Sequence, residues 1–269
     1  MKRLRRPPRW LQEAAPPAGL LVLLVALWQI VADRSGLSAF ILPSPAQVLR
    51  AGFETRFLLL NAIGVTMLET MVGLAVALVL GVAIAALMDF SLLARRALYP
   101  LLVASQTVQI LAIAPILIIW FGFGLLPKVI IVVLFCFFPL AVSTADGLMS
   151  ADPDQVALLR AMGAQRSQIW RMVRLPAALP SFFSGLRLAV TYSVVAATVG
   201  EWVGGSAGLG LYMLRSKNAL ATDQVFVAML VTSLLSIGLF VLVYLIERGS
   251  LPWYYSAQRR EQWEEAGIY

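Results

Sequence analysis

The stretch ALLRAMGAQRSQIWRMVRLP, residues 157–176, carries four arginines and no acid within a chain otherwise apolar enough to sit in lipid. Its apolar residues recur at helical spacing, and it closes on Leu175-Pro176. Just upstream, Asp152-Pro153-Asp154 supplies what a helix N-terminus favours: a carboxylate at the cap, Pro at the first helical position, and acids near the positive end of the dipole. From Val156 onward, Leu159, Met162, Ile169, Met172 and Val173 fall near one face, while Arg160, Gln165, Arg166, Gln168 and Arg171 point largely elsewhere. Gly163 interrupts the run, and Gly costs about 1 kcal/mol relative to Ala in a helix interior. Two readings follow: a break between two short helices, or close approach by another backbone. Pro176 is expected to end the segment. A basic amphipathic helix of this kind fits either a layer of anionic headgroups or a soluble partner protein.

Working outward, the 269 residues are 60% hydrophobic and 13% charged, against about 25% charged in ordinary soluble domains. The class is an all-α integral membrane protein. The formal net charge of +7 raises nucleic acid as a partner, but the basic residues lie between apolar runs, where they set orientation in a bilayer. Nucleic acid is therefore not expected. With no histidine and one cysteine, Cys136, the chain alone supplies no disulfide, no multi-cysteine metal site and no Cys/His nucleophile pair. No metal site is expected, and Cys136 reads as a small core residue.

A crossing needs about 20 apolar residues. Six helices are expected at about 16–33, 60–88, 98–122, 126–148, 178–203 and 224–247. The first follows MKRLRR without a clear small-residue cleavage site, so it reads as a span rather than a signal peptide. With the N-terminus inside, the inner segments hold 14 Lys and Arg (among them Arg95, Arg96, Arg160, Arg166, Arg171 and Arg174) and the outer ones hold six, Arg34, Arg50, Arg56, Lys128, Arg215 and Lys217. The positive-inside rule then places both termini and residues 157–176 in the cytoplasm. The division expected is 1–40 for the basic N-terminus and first helix, 41–247 for a core, and 248–269 for a cytoplasmic tail. In LPSPAQVL, Ser44 is placed to cap a helix that begins at Pro45. GGSAGLG, residues 204–210, lacks the Lys-Ser/Thr of a phosphate loop, and with three lysines in the chain no such loop is hidden elsewhere.

Charges inside a membrane cost about 2.5–3.5 kcal/mol each on insertion scales, so they face protein or water. Glu69, Arg187 and Glu201 are the candidates. Glu69 reads as facing the bundle or lining the pathway, Glu201 as bordering the exit mouth or capping a loop, and Arg187 as a structural residue reaching the inner surface. An Arg187–Glu201 pair is not expected, because their helical separation is about 21 Å. Ser105, Gln106, Thr107 and Gln109, ahead of Pro115, suggest a cavity-lining face, since lipid would leave their polar groups unpaired; interhelical hydrogen bonding is the alternative. Trp120 is added to the pathway set.

The stretch GAQRSQIWRMVRLP resembles the cytoplasmic signature of binding-protein-dependent ABC importer permeases: an acidic residue with alanines, a downstream Gly, then an aliphatic residue, a Leu and a Pro. Gly163, Val173, Leu175 and Pro176 occupy the matching positions, while Ala157, Leu158 and Leu159 stand where the acid and alanines would be. PLLVASQTVQILAIAPILIIWFGFG, FFPLAVSTADGL, LPAALPSFFSGLRLAV and GEWVGGSAGLG are similar to the branch handling nitrate, sulfonates, taurine and thiamine precursors, and the resemblance runs over about residues 41–247. It implies a six-helix type I ABC importer permease fold in a bacterial inner membrane, with a cytoplasmic coupling helix at about 154–172. Ala157, Arg160, Gly163, Ala164, Arg166, Val173, Leu175 and Pro176 would contact the ATPase. The implied partners are a second copy of the chain, two ABC ATPase subunits, an external substrate-binding protein and membrane lipid. No cofactor would bind this chain, since ATP and Mg would sit on the ATPase. Within the branch the similarity leans toward permeases for a thiamine pyrimidine precursor or riboflavin, with sulfonate, taurine or nitrate transport as the alternative. An ion-coupled transporter using Glu69 or Glu201, and a non-transporting anchor that recruits a soluble protein through the same helix, are the rival classes. A membrane enzyme is disfavoured by the lack of histidine and of clustered inner carboxylates.

Overall fold

The computed structural model describes residues 9–34, 40–254 and 256; among them there are helices and connections and no strand. In chain order the helices are α1 (Arg9–Arg34), α2 (Pro45–Glu54), α3 (Arg56–Phe90), α4 (Leu92–Ser105), α5 (Ile110–Phe121), α6 (Leu125–Met149), α7 (Pro153–Ala161), α8 (Arg166–Ile169), α9 (Leu175–Gly204), α10 (Leu209–Asn218) and α11 (Thr222–Ser250). Among the described residues, five helical stretches are long and apolar enough to cross a membrane, and α4 with α5, bent by 98°, make a sixth if counted as one span. The basic N-terminal residues 1–8 and the amphipathic tail beyond 256 lie outside the described residues.

The chain divides into two compact units, one of Met1–Leu60 with Tyr212–Leu230, the other of Asn61–Leu211 with Val231–Tyr269. In the smaller unit, Ser44 caps α2 as its sequence predicts. Its Oγ accepts from the Gln47 N–H at 3.4 Å, and the Gln47 side chain accepts from the Ser44 N–H at 2.8 Å, a reciprocal capping box. Trp28 of α1 donates to the Pro43 carbonyl at 3.1 Å and packs its ring 5.5 Å from that of Phe226. The hydroxyls of Thr55 and Tyr212 share a hydrogen bond of 2.8 Å.

The larger unit is built on small residues that let backbones meet. Gly73, Ala77, Gly81 and Ala85 recur every fourth residue along one stripe of α3. A Cβ placed on Gly73 would lie 2.5 Å from Val132, and one on Gly81 2.9 Å from Leu140. Between α6 and α9 the approach is equally close. A Cβ on Gly147 would meet the Ala178 carbonyl at 2.9 Å, and one on Gly185 the Pro139 carbonyl at 2.7 Å. In lipid, where burial of apolar surface does not drive helices together, such small-residue contacts supply the van der Waals packing that does. Cys136 is buried between these helices and donates to the Ala189 carbonyl at 3.2 Å.

Two expectations for the spans need correction. The single helix expected over 98–122 is two helices with a sharp break at residues 106–109. The Ser105 hydroxyl donates to the Leu102 carbonyl at 2.7 Å and the Thr107 hydroxyl to the Ala104 carbonyl at 2.8 Å, while backbone bonds tighten to Gln106→Val103, Thr107→Ala104 and Val108→Ser105. Hydroxyls that take backbone carbonyls compete with the α-helical ladder and bend it. The second correction concerns Pro176, which does not end the basic segment. Residues from Arg166 to Gly204 run as one 39-residue helical path, because Trp170–Arg174 forms a π-helical turn. The Leu175 N–H reaches the Trp170 carbonyl, and this wider turn accommodates the missing N–H and ring of Pro176.

Candidate functional site: cavity, buried ion cluster and basic segment

The break between α4 and α5 opens a cavity of about 640 Å³. Gln106 and Gln109 line it, as the polar run predicts, together with Ser105. The opposite wall brings Phe135, Phe138 and Ser143 from α6 and Tyr192 from α9. No Lys, Arg, Asp or Glu is among the lining residues. The walls therefore offer amides, hydroxyls and aromatic faces. Of the remaining pathway candidates, Trp120 sits near the far end of α5 with 72% of its surface exposed, away from this cavity.

Glu69 and Glu201 do not line the cavity either; both are buried in the larger unit, at 2% and 0% exposure. Lys128, counted from the sequence among outer-loop charges, is instead 4% exposed and donates from Nζ to Glu69 Oε1 at 2.5 Å. Glu201 accepts from the Thr66 hydroxyl at 2.6 Å and from the Gly210 N–H at 2.5 Å. The Thr66 oxygen in turn accepts from the Leu209 N–H at 2.9 Å. The GGSAGLG loop is thus folded onto a carboxylate of its own chain. Gly208 makes this possible: its φ is +115° and a Cβ there would collide with the Glu201 carboxyl. Lys128 was missed as a member because nothing local marks a Lys at the start of an apolar run as inward-facing. Arg187 was expected at the surface. It pairs with Glu247 at 3.2 Å and with Ser184 at 3.1 Å.

In the basic segment, the Asp152 side chain accepts from the Asp154 N–H at 2.9 Å and caps α7. After Ala161 the backbone turns with Gly163 at φ +81° and nothing within 4 Å of where its Cβ would stand. The Gly163 N–H bonds to the Arg160 carbonyl and the Ala164 N–H to the Leu159 carbonyl, each at 3.0 Å. This is a Schellman C-cap, so of the two readings of Gly163 the break between helices holds. Ala157, Arg160 and Arg166 are exposed and Ala164 is half-buried. Val156 and Ile169 turn inward, whereas Leu158, Met162 and Met172 are 63%, 73% and 66% exposed. Val173 and Pro176 are half-buried and Leu175 is on the exposed side. Arg174 is tied to Asp89 at the end of α3.

Comparison with known proteins shows the family of the chain. The family model described as "Binding-protein-dependent transport system inner membrane component" matches residues 77–251. The chain is 37% identical to the formylaminopyrimidine transport permease protein ThiX of Halalkalibacterium halodurans, over 90% of this chain and 96% of that one. It is 36% identical to the riboflavin transport system permease protein RibX of Chloroflexus aurantiacus, over 88% and 91% of the two chains. It is 28% identical to the taurine transport system permease protein TauC of Escherichia coli, over 89% and 90%. Among solved structures, a chain of an amino acid ABC transporter matches with a TM-score of 0.61 at 17% identity, over 73% of this chain and 95% of that one. A chain of the inward-facing MetNI methionine ABC transporter matches with 0.58 at 18% identity, over 72% and 98%. At those identities the likeness is one of fold. The chain belongs to the binding-protein-dependent transport system inner membrane components, the permeases of ABC importers.

Proposed function

We propose that two copies of this permease enclose the pathway of an ATP-driven importer for an uncharged, planar heteroaromatic solute, of the kind represented by a thiamine pyrimidine precursor or a riboflavin-like ring. The carrying observation is the uncharged cavity at the α4–α5 break. Amides and hydroxyls hydrogen-bond ring nitrogens and exocyclic groups, and Phe135, Phe138 and Tyr192 offer faces for stacking. A sulfonate or nitrate entering these walls would shed water without meeting a cation, which is costly for any anion. The permeases named for formylaminopyrimidine and riboflavin, at 37% and 36% identity, support the same substrate class. An external binding protein delivers the solute, and both termini face the cytoplasm.

Coupling follows from the basic segment. The exposed Leu158, Met162 and Met172, rimmed by Arg160, Arg166 and Arg171, form a face for a groove on a partner ATPase, which holds the ATP and Mg. Because Arg166–Gly204 is one helical path of 39 residues, about 58 Å long at 1.5 Å per residue, a push on α8 travels along α9 to Glu201 and the loop it holds. Closure of two ATPases at one end is thereby linked to rearrangement at the other.

Two outcomes are expected. Gln109→Leu removes a hydrogen-bonding wall while keeping volume, and uptake of a labelled aminopyrimidine should fall about five- to tenfold, the value of one such bond. Excess unlabelled taurine or nitrate should leave wild-type uptake unchanged; competition by either would favour the anion branch instead. Gly163→Ala forces an L-residue into the left-handed region at about 1–2 kcal/mol. The C-cap should loosen and the ATPase recovered with tagged permease should fall several-fold, with the permease itself still monodisperse in detergent.

A further inference from the structure

Two cavities of about 440 Å³ and 260 Å³ lie at the basic end of the larger unit, where α3, α4, α6 and α7 meet the start of α9. They adjoin, since Asp89, Leu92, Arg160 and Arg174 line both. Arg95 and Tyr99 add to the first, Arg166 and Trp170 to the second. Asp89 is the one acid in either lining, and it is already paired with Arg174. Arg95, Arg160 and Arg166 have no carboxylate within ion-pair distance among the described residues. Three arginines without an ion-pair partner among the described residues therefore line the two adjoining cavities. The Trp170 ring, in the wall of the second cavity, stacks on Phe90 at 6.0 Å.

We propose that these cavities form an anion site that takes a phosphate group, either the headgroup of an anionic phospholipid or a free phosphate. Guanidinium forks match phosphate oxygens in pairs, and basic pockets between transmembrane helices are where headgroups bind. The apolar part of the first cavity, from Leu92, Ala145 and Leu148, suits the first methylenes of a lipid's acyl chains. The site lies against α7, and Arg160 and Arg166 belong both to it and to the face assigned to the ATPase. An occupant there would brace the docking segment against α3 and α4. Lipid charge or phosphate would then set how firmly that segment is held.

The test uses the full-length permease, purified in neutral detergent and given equal amounts of phosphatidylglycerol and phosphatidylcholine, with retained lipid measured by native mass spectrometry. Wild type should retain phosphatidylglycerol about fivefold or more over phosphatidylcholine. Arg95→Gln should lower that preference about fivefold, the worth of one near-surface arginine. Retained phosphatidylcholine and an unchanged elution volume report folding; if Arg95→Gln fails on either, Arg166→Gln serves in its place. Added inorganic phosphate separates the sources: displacement of phosphatidylglycerol assigns the site to small phosphates, and undiminished retention assigns it to headgroups. Equal retention of the two lipids by wild type overturns the proposal. So does an unchanged preference in the arginine variant, including the case where that variant loses only its hold on the ATPase.

Discussion

Replacing Lys128 with Met is expected to destabilise the permease by about 3–5 kcal/mol, the cost of leaving one partner of a buried ion pair without the other. Lys128 and Glu69 are 4% and 2% exposed, and Lys128 donates directly to Glu69 Oε1. The other Glu69 oxygen has no hydrogen-bond partner, so Lys128 carries the neutralisation of that carboxylate. Glu201, a second buried acid held by Thr66 and Gly210, belongs to the same cluster. Removing the lysine leaves acids alone in a site shut off from water. Thermal unfolding in detergent, followed by intrinsic tryptophan fluorescence, should show the loss. The double variant Lys128→Met with Glu69→Gln removes both charges and should recover most of it, as removal of whole buried pairs does elsewhere. A single variant that melts with wild type would mean that the pair is not buried in the folded protein.

Gly208→Ala should have the next largest effect, about 2–4 kcal/mol from a left-handed backbone imposed on an L-residue and from overpacking. At φ +115° the added methyl points into the Glu201 carboxyl. That carboxyl is not free to swing aside, because the Thr66 hydroxyl and the Gly210 N–H both bind it. The loop must therefore lift, releasing the Leu209 and Gly210 N–H groups. Hydrogen–deuterium exchange read at residues 205–210 should quicken by about one and a half to three orders of magnitude, as about 1.4 kcal/mol corresponds to each factor of ten. Exchange at α6, away from the loop, should change far less. Unchanged exchange at 205–210 would show that the loop does not rest on Glu201.

How much of this could be read from the chain depends on how local each feature is. Asp152-Pro153, Ser44-Pro45 and the apolar runs are contiguous signals, and the caps and long helices stand where those signals put them. Gly163 left two readings because a sequence does not print φ. The bend after Ser105 was hidden because four polar residues in an apolar run announce a cavity without announcing an angle. Which carbonyl each hydroxyl takes decides that. The ion cluster was hidden by distance along the chain: Lys128 and Glu69 are 59 residues apart, Thr66 and Glu201 135 apart. Helical periodicity carries no information at such separations, so the sequence does not pair charges that lie on different helices. Arg187 and Glu247 escaped for the same reason. The stripe Gly73, Ala77, Gly81, Ala85 is different, since its period of four is visible in the sequence and predicts a close helix contact.

The most direct test of the proposed import function is uptake of a labelled, uncharged pyrimidine into proteoliposomes that hold the permease and its partner ATPase with the ATPase facing the lumen and the binding protein added outside, with and without ATP inside the vesicles. The account predicts uptake that requires ATP and the binding protein, survives dissipation of proton and sodium gradients, and falls several-fold in Gln109→Leu. Uptake that persists without ATP and follows an ion gradient would contradict it.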